Sequence, residues 1–584
     1  MERRNCDILI IGGGGAALYA ALRAHDRDPS LKIVVASKGV FGKSGCTRMV
    51  QGGYNVVLHA EDSFDKHYDD TLRGGSMVNN QELAWILVTE APERIYELEN
   101  RYGCYFDRNT DGSIHQRALA GQSFNRTVHR GDLTGIELMS RLSEQVLVRD
   151  IDVMNEVRGL DLIRDANGKS IAGALLLDTH TGEFIAMSAR ATLLATGGAA
   201  PLYKVTAASL DKSGDGMAMA FRAGASFVDM EMMQFHPTGL IAGASVTTGT
   251  VLEEGLRGAG GHLLNANHER FMQRYDPAKM ERSTRDRVSR SSFMEIMAGR
   301  GTDEEGVYLD VRHLGRDFLM KSSPGMYKRC MSFGYDMAKD LIQVTPTAHF
   351  QMGGALIDTR CHTNLDGLYA AGEDAGGVHG ANRLGGNGVA ESMVFGGLAG
   401  HTLAEHAANT QARKFDEDQL HGLLQRYGEA RKGGGDPFAM RARVRTCAWE
   451  NLGIIRSKES LERANSILEE VRGGIEDLPV PGDAAGNVAF TERLDVENLL
   501  AVADLIRVSS ELRKESRGSH YRSDFEATSD KGLYNIVLRR NGKGGITSRS
   551  VPVAFTRRKA SDLAGETVIP KQQQQPTMES RTEA

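Results

Sequence analysis

The stretch from Asp7 to Leu22, DILIIGGGGAALYAAL, decides the fold. Asp7 to Ile11 is short, apolar and rich in β-branched residues, which marks a buried parallel strand. Gly12, Gly13, Gly14 and Gly15 follow at once, and Ala16 to Leu22 is a strong helix former. Strand, glycine turn and helix make a dinucleotide cradle. Gly12 allows the tight turn, Gly14 lets the backbone approach a pyrophosphate, and Ala17 permits close helix–strand packing. Gly15 belongs to the same turn, where the helix N-terminus offers free N–H groups and the positive end of its dipole. The flanks give this G-x-G-x-x-A match its weight. The plain alternative is a glycine-rich turn in an ordinary α/β sheet.

The whole chain agrees with an enzyme of this class. Its 584 residues suffice for more than one domain and a large core. A net charge of −6 argues against a dedicated nucleic-acid binder. The 67 glycines beside 13 prolines suit a loop-rich α/β enzyme. Cys6, Cys46, Cys104, Cys330, Cys361 and Cys447 are scattered and form no C-x-x-C pair. No metal site or iron–sulfur cluster is expected within the chain, and the usage fits a reducing compartment. The opening MERRNC precedes the nucleotide-binding strand itself, so no separate signal segment is expected. No apolar run reaches the roughly 20 residues that span a bilayer. A cytoplasmic protein is expected.

The second strand, Leu31 to Ala36, ends in Ser37-Lys38 rather than in the acid that a nicotinamide-binding unit places on the ribose. The next residues, FGKSGCTRMVQGGYN from Phe41 to Asn55, are long and glycine-rich enough to wrap a larger cofactor. An ordinary surface loop is the alternative.

Ser37-Lys38, this loop and its Gln51-Gly52-Gly53 resemble the succinate dehydrogenase/fumarate reductase flavoprotein family, which includes L-aspartate oxidase. The resemblance implies that the loop cradles FAD, with Ser44, Thr47, Gln51, Gly52 and Gly53 among the contacts. Respiratory members bond the flavin covalently to a histidine here. Alignment on Thr47 and Gln51-Gly52-Gly53 puts Cys46 at that position, which implies non-covalent FAD; a cysteinyl–flavin bond is the alternative. Family order continues through Phe106-Asp107-Arg108, placed near the substrate, and the helix opening at Asp132-Leu133-Thr134-Gly135. The strand Ala191 to Gly198 resembles a second flavin-contacting strand, and Asp215 matches a family FAD contact. Gly367 to Glu373 is a strand ending in an acid for the FAD hydroxyls. HGANRLGGNG, His379 to Gly388, is the most specific string. It carries Arg383 for the substrate and Asn387, Gly388 and Val389 for the flavin, although respiratory members usually show Ser-Leu at 388–389.

A four-carbon dicarboxylate needs a cation at each end and a reacting centre held against the flavin. Arg383 supplies a planar fork. His236 and His349 can donate to the carboxylates and help twist the substrate. The resemblance makes Arg285 the proton donor or acceptor, with Glu254 and Arg257 relaying the proton to water. Free guanidinium, with a pKa above about 12, would not suggest this role. A structural ion-pair network is the alternative. Glu253 departs from the family's usual threonine, and a carboxylate there should repel a dianion unless protonated or turned away.

The expected fold class is α/β: a Rossmann-like FAD-binding domain with an inserted α+β capping domain, then a C-terminal helical domain and a small C-terminal region. The boundaries are 1–240 and 350–410 for the FAD-binding domain, 241–349 for the cap, 411–530 for the helices and 531–584 for the C-terminal region with its polar tail. Val496, Leu499, Leu500, Ala503 and Ile506 repeat with helical period. The expected function is a succinate dehydrogenase/fumarate reductase flavoprotein subunit. It would exchange electrons with a separate iron–sulfur subunit, and anchor subunits would hold it on the inner face of the cell membrane. L-aspartate oxidase is the rival within the fold, and a flavin-binding scaffold without turnover the rival outside it.

Overall fold

Strand Ile8–Ile11 is fully buried and lies at the centre of a five-stranded parallel sheet. The order is Leu368–Ala370, Ala191–Leu194, Ile8–Ile11, Ile33–Ser37, Asp152–Asn155. Ile8 pairs with Ala191 on one side and Ile33 on the other. Such a strand touches protein on both faces, which is why its sequence is apolar throughout. The computed structural model describes residues 1–252, 254–430, 435–476, 478, 484–542 and 544–563.

Helix Gly15–Arg27 leaves the glycine turn and packs on helix Asn387–Asn409, nearly four hundred residues later. Small residues set that distance. A Cβ on Gly396 would lie 2.7 Å from the Ala16 carbonyl oxygen, and one on Gly400 would lie 2.4 Å from that of Ala20. The later helix starts at Asn387, directly beside the site.

The chain between the two halves of this domain builds a four-stranded antiparallel sheet, Met233–Leu240, Ile342–Gln351, Val307–Asp310 and His262–Leu264. It has its own core of residues such as Leu252, Leu263, Val288, Leu309 and Val344. The expected boundary at 349 falls inside strand Ile342–Gln351, which runs unbroken between the two regions. Strand Met233–Leu240 pairs with it and forms the other half of the stalk.

Among the described residues four helices follow: Glu417–Glu429, Pro437–Asn451, Lys458–Glu476 and Val488–Leu512. The periodic stripe from Val496 to Ile506 is buried. The C-terminal hairpin, Tyr534–Arg540 and Ile546–Pro552, does not stand apart. Its first strand pairs with Ser226–Val228 in a sheet that also holds Gly354–Leu356 and Ala375–Gly376. The glutamine-rich tail lies outside the described residues. Among the described residues, no helix is long and apolar enough to cross a membrane, and no group of three or more metal-ligating side chains gathers.

Candidate active site

A cavity of about 570 Å³ lies between the glycine turn and the inserted sheet. Its cofactor end is built from backbone. Gly12 has a φ of +130°, and a Cβ there would stand 2.1 Å from the Ala195 carbonyl oxygen. Gly14 precedes the helix with no side-chain cap, so helix N–H groups face the cavity. The Gly15 N–H donates to Thr47 Oγ1 at 3.1 Å, which ties the loop to the turn.

Ser37, Ser44, Cys46, Gln51, Gly52 and Gly53 line the same space, as do Lys38, Asp215, Glu373, Gly388 and Val389. Their side chains are not equally available. Ser37 Oγ donates to the Gly39 carbonyl at 2.9 Å. Lys38 has three N–H donors, and all have acceptors: Ser213 Oγ at 3.0 Å, Asp215 at 3.1 Å and Asp495 at 2.7 Å. Asp215 also accepts from Arg158 and Asn498. This pair braces the cradle against helix Val488–Leu512, a role the sequence did not reveal. Glu373 accepts from the Gln351 N–H at 2.9 Å and from the buried Lys212.

Four expected residues do not line the cavity, one of them Arg257, which lies behind Glu254. Ala17 is fully buried in the main core, where it lets helix and strand approach. Phe106, expected at the substrate, is also fully buried in that core, because burial of the ring outweighs exposure in a polar site. The Asn387 side chain points into a buried network, accepting from Asn55 at 2.7 Å and bonding His67 at 3.1 Å. Glu253 lies outside the described residues.

The opposite end is built from side chains. Strand Met233–Leu240 presents Gln234 and His236, and strand Ile342–Gln351 presents His349 and Phe350. The imidazoles of His236 and His349 stand 5.4 Å apart, edge to face. Arg285, at the start of helix Arg285–Glu295, donates through Nε and Nη2 to Glu254 Oε2 at 2.9 and 2.7 Å. Its Nη1 donates to Gln234 Oε1 at 3.2 Å. The other oxygen of Glu254 lies 3.4 Å from Arg257, directly behind the cavity wall. Arg383 Nη2 donates to the same Gln234 oxygen at 3.1 Å, and its guanidinium lies over the Phe350 ring.

Eight cationic residues, Lys38, Lys43, Arg48, Arg158, Lys212, Arg285, Arg329 and Arg383, line the cavity against four acids, Asp211, Asp215, Glu254 and Glu373. This field favours anions. Burial first, then Arg285, pulls His236 well below its usual range. Burial followed by Arg383 does the same to His349. Both are neutral imidazoles at pH 7. Burial would push Glu254 up, but Arg285 and Arg257 outweigh it and hold it down as a carboxylate. Burial, then Arg285, pulls Arg383 down to about 9. It is still a cation at pH 7, and among the described residues no carboxylate is ion-paired with it.

Sequence reasoning gave no role to Gln234, although its oxygen joins Arg285 to Arg383. Its place two residues before His236 on one strand was the available signal. Lys212 was also missed, and no local pattern marks it.

The comparisons match this geometry. An "FAD binding domain" model covers residues 7–389, and a "Fumarate reductase flavoprotein C-term" model covers 441–574. The chain belongs to the fumarate reductase/succinate dehydrogenase flavoprotein family. Within the family it is 42% identical to one chain of the fumarate reductase (CoM/CoB) of Methanothermobacter marburgensis, over 92% of this chain and 98% of the relative. It is 36% identical to the 8-methylmenaquinol:fumarate reductase flavoprotein subunit of Wolinella succinogenes, over 92% and 89% respectively. Its backbone superposes on the FrdA chain of an E. coli quinol fumarate reductase variant with a TM-score of 0.90. That match has 32% identity and covers 96% and 98% of the two chains. The family's cofactor is FAD, and the residues fit it: an uncapped helix end, a glycine turn that admits no side chain, and a cavity rich in cations.

Proposed function

We propose that the chain is the flavoprotein subunit of a complex that interconverts fumarate and succinate. One observation supports this reading above the others: two buried guanidiniums, Arg285 and Arg383, share the Gln234 oxygen, with only Arg285 paired to Glu254, beside two neutral imidazoles. The arrangement fits a four-carbon dianion. Arg383 takes one carboxylate as a fork. His236 and His349, being neutral, each donate one N–H to carboxylate oxygens and turn one carboxylate out of the plane of the double bond. FAD supplies the hydride acceptor or donor. Arg285 gives or takes the proton at the neighbouring carbon, and Glu254 and Arg257 pass it onward. Glu254 bridges both arginines, one on each oxygen, which suits a relay.

We also infer that FAD is held without a covalent bond. Burial pushes the Cys46 thiol up, and Sγ accepts from the Ser209 N–H at 3.3 Å. A protonated thiol is a poor nucleophile. An exposed apolar patch supports docking of an iron–sulfur subunit beside this loop. Val40 stands just before the loop and Met49 on it, and Leu133 and Ile136 are at the start of helix Thr134–Leu147. The Gly135 N–H binds the Val50 carbonyl at 2.9 Å and joins the two parts. Anchor subunits would then hold the complex on the inner face of the membrane.

Anaerobic oxidation of a reduced viologen by the FAD-loaded chain tests the reading. Fumarate-dependent oxidation is the expected result. Peroxide from L-aspartate in air, without a fumarate reaction, would assign the chain to the oxidase branch. Inactivity in both assays would reject the proposal and turn attention to Glu253 and a different substrate.

A further inference from the structure

Arg383 is held on its edge by Gln234, and its face is held too. Its guanidinium carbon lies 4.4 Å from the centre of the Phe350 ring. Gln234 and Phe350 are cross-strand partners in the two stalk strands. One rung of this ladder therefore grips the arginine from two directions. Neither grip supplies a negative charge, so the guanidinium is fixed in place while its charge stays available.

The ring is itself seated. The imidazole of His379 meets Phe350 edge to face, with centroids 5.4 Å apart and planes at 76°. His379 Nε2 lies 3.0 Å from Glu391 Oε2, and both residues are 2% exposed. Glu391 projects from helix Asn387–Asn409, the element that packs against the glycine-turn helix. A Cβ at position 388 would stand 3.0 Å from Arg383 Nη1 and 3.1 Å from the Phe350 ring, so glycine there leaves room for ring and guanidinium together.

We propose that Phe350 is a positioning residue for the substrate arginine, seated by the buried His379–Glu391 pair. This inference rests on the fumarate reading of the site. An arginine over an aromatic face gains cation–π attraction that grows when the pair is desolvated. The ring also prevents the long side chain from swinging toward Glu254, where an ion pair would consume the charge needed for substrate. The relay runs Glu391, His379, Phe350, Arg383. It links the orientation of the substrate cation to the helix that closes the cofactor domain.

The test compares Phe350→Leu, which keeps bulk and loses the aromatic face, with Phe350→Tyr, which keeps both. For Phe350→Leu, the KM for fumarate should rise roughly tenfold. Its kcat should stay within about threefold and its bound flavin should be unchanged. Phe350→Tyr should restore the KM to within about twofold. The dissociation constant of a non-reacting dicarboxylate, read from the flavin spectrum, should move with KM. Glu391→Gln should raise KM in the wild-type background and add little in Phe350→Leu, because coupled residues are not additive. An unchanged KM in Phe350→Leu, equal impairment in Phe350→Tyr, or full additivity with Glu391→Gln would each overturn the inference. Absence of fumarate turnover in the wild-type chain would reject the functional reading, and this inference with it. Wild-type turnover with an unaltered Phe350→Leu would reject the inference alone.

Discussion

The two ends of the cavity are made of different materials. The cofactor end is backbone: a glycine turn, an uncapped helix start and a loop tied down by Thr47. The substrate end is side chain: two arginines, two histidines, a glutamate and the glutamine that joins them. Backbone sites fail by steric exclusion, which is all or none. Side-chain sites fail by graded loss of charge or orientation.

The largest expected effect breaks the backbone end. Gly12→Val would drive a side chain into the Ala195 carbonyl at a φ that β-branched residues do not adopt. The purified protein should carry no flavin absorbance and show no activity. Next comes the side-chain end. Arg285→Ala should retain FAD and lower kcat by about 10³-fold, within the range for loss of a general acid. Retention of flavin with loss of turnover would separate the two ends cleanly. Arg383→Lys keeps the charge but loses the planar fork. Its kcat/KM for fumarate should fall by roughly 10²-fold, the cost of an impaired charge-assisted pair.

A smaller effect concerns pH and stability. Burial holds His236, His349 and His520 well below their usual range, and His67 down to about 3. Unfolded, each takes a proton below about pH 6.5, while folded it does not, so stability falls as pH falls. Burial pushes Asp229 and Asp374 up to about 7, which acts in the opposite sense. Four groups against two leave the histidines ahead. The thermal midpoint should therefore drop between about pH 6.5 and 4.5, at about 1.4 kcal/mol per pH unit for each net proton. The smallest effect belongs to Cys46→Ser. Activity should change by less than about twofold, since the half-buried thiol is a small protonated group rather than a nucleophile. Acid precipitation should release flavin into the supernatant for both proteins; a yellow pellet from the wild type would refute the non-covalent reading.

The same contrast explains what the sequence made legible. The strand, turn and helix of Asp7–Leu22 are local, and their pattern states their conformation. Arg285, Glu254, Arg257, His236, His349 and Arg383 were found through motif order, and folding brings them into one corner. Gln234 and Lys212 were not found, because their partners lie far away in the chain. Asn387 sits in a string expected to contact the flavin, yet its side chain turns to Asn55 and His67. Phe106 sits in a charged segment and still buries its ring. For Asn387 the sequence placed the backbone beside the site, and in both cases tertiary packing chose where the side chain went.

The C-terminal hairpin carries a consequence for synthesis. Strand Ser226–Val228, formed early, waits for Tyr534–Arg540 before its sheet is complete. Ribosomes add about 5–20 residues per second, so the sheet edge stays open for tens of seconds. During that interval it is a template for the wrong strand. Strand closure is therefore a late event, and a nascent chain of this protein is a natural client for whatever shields open edges until this hairpin emerges.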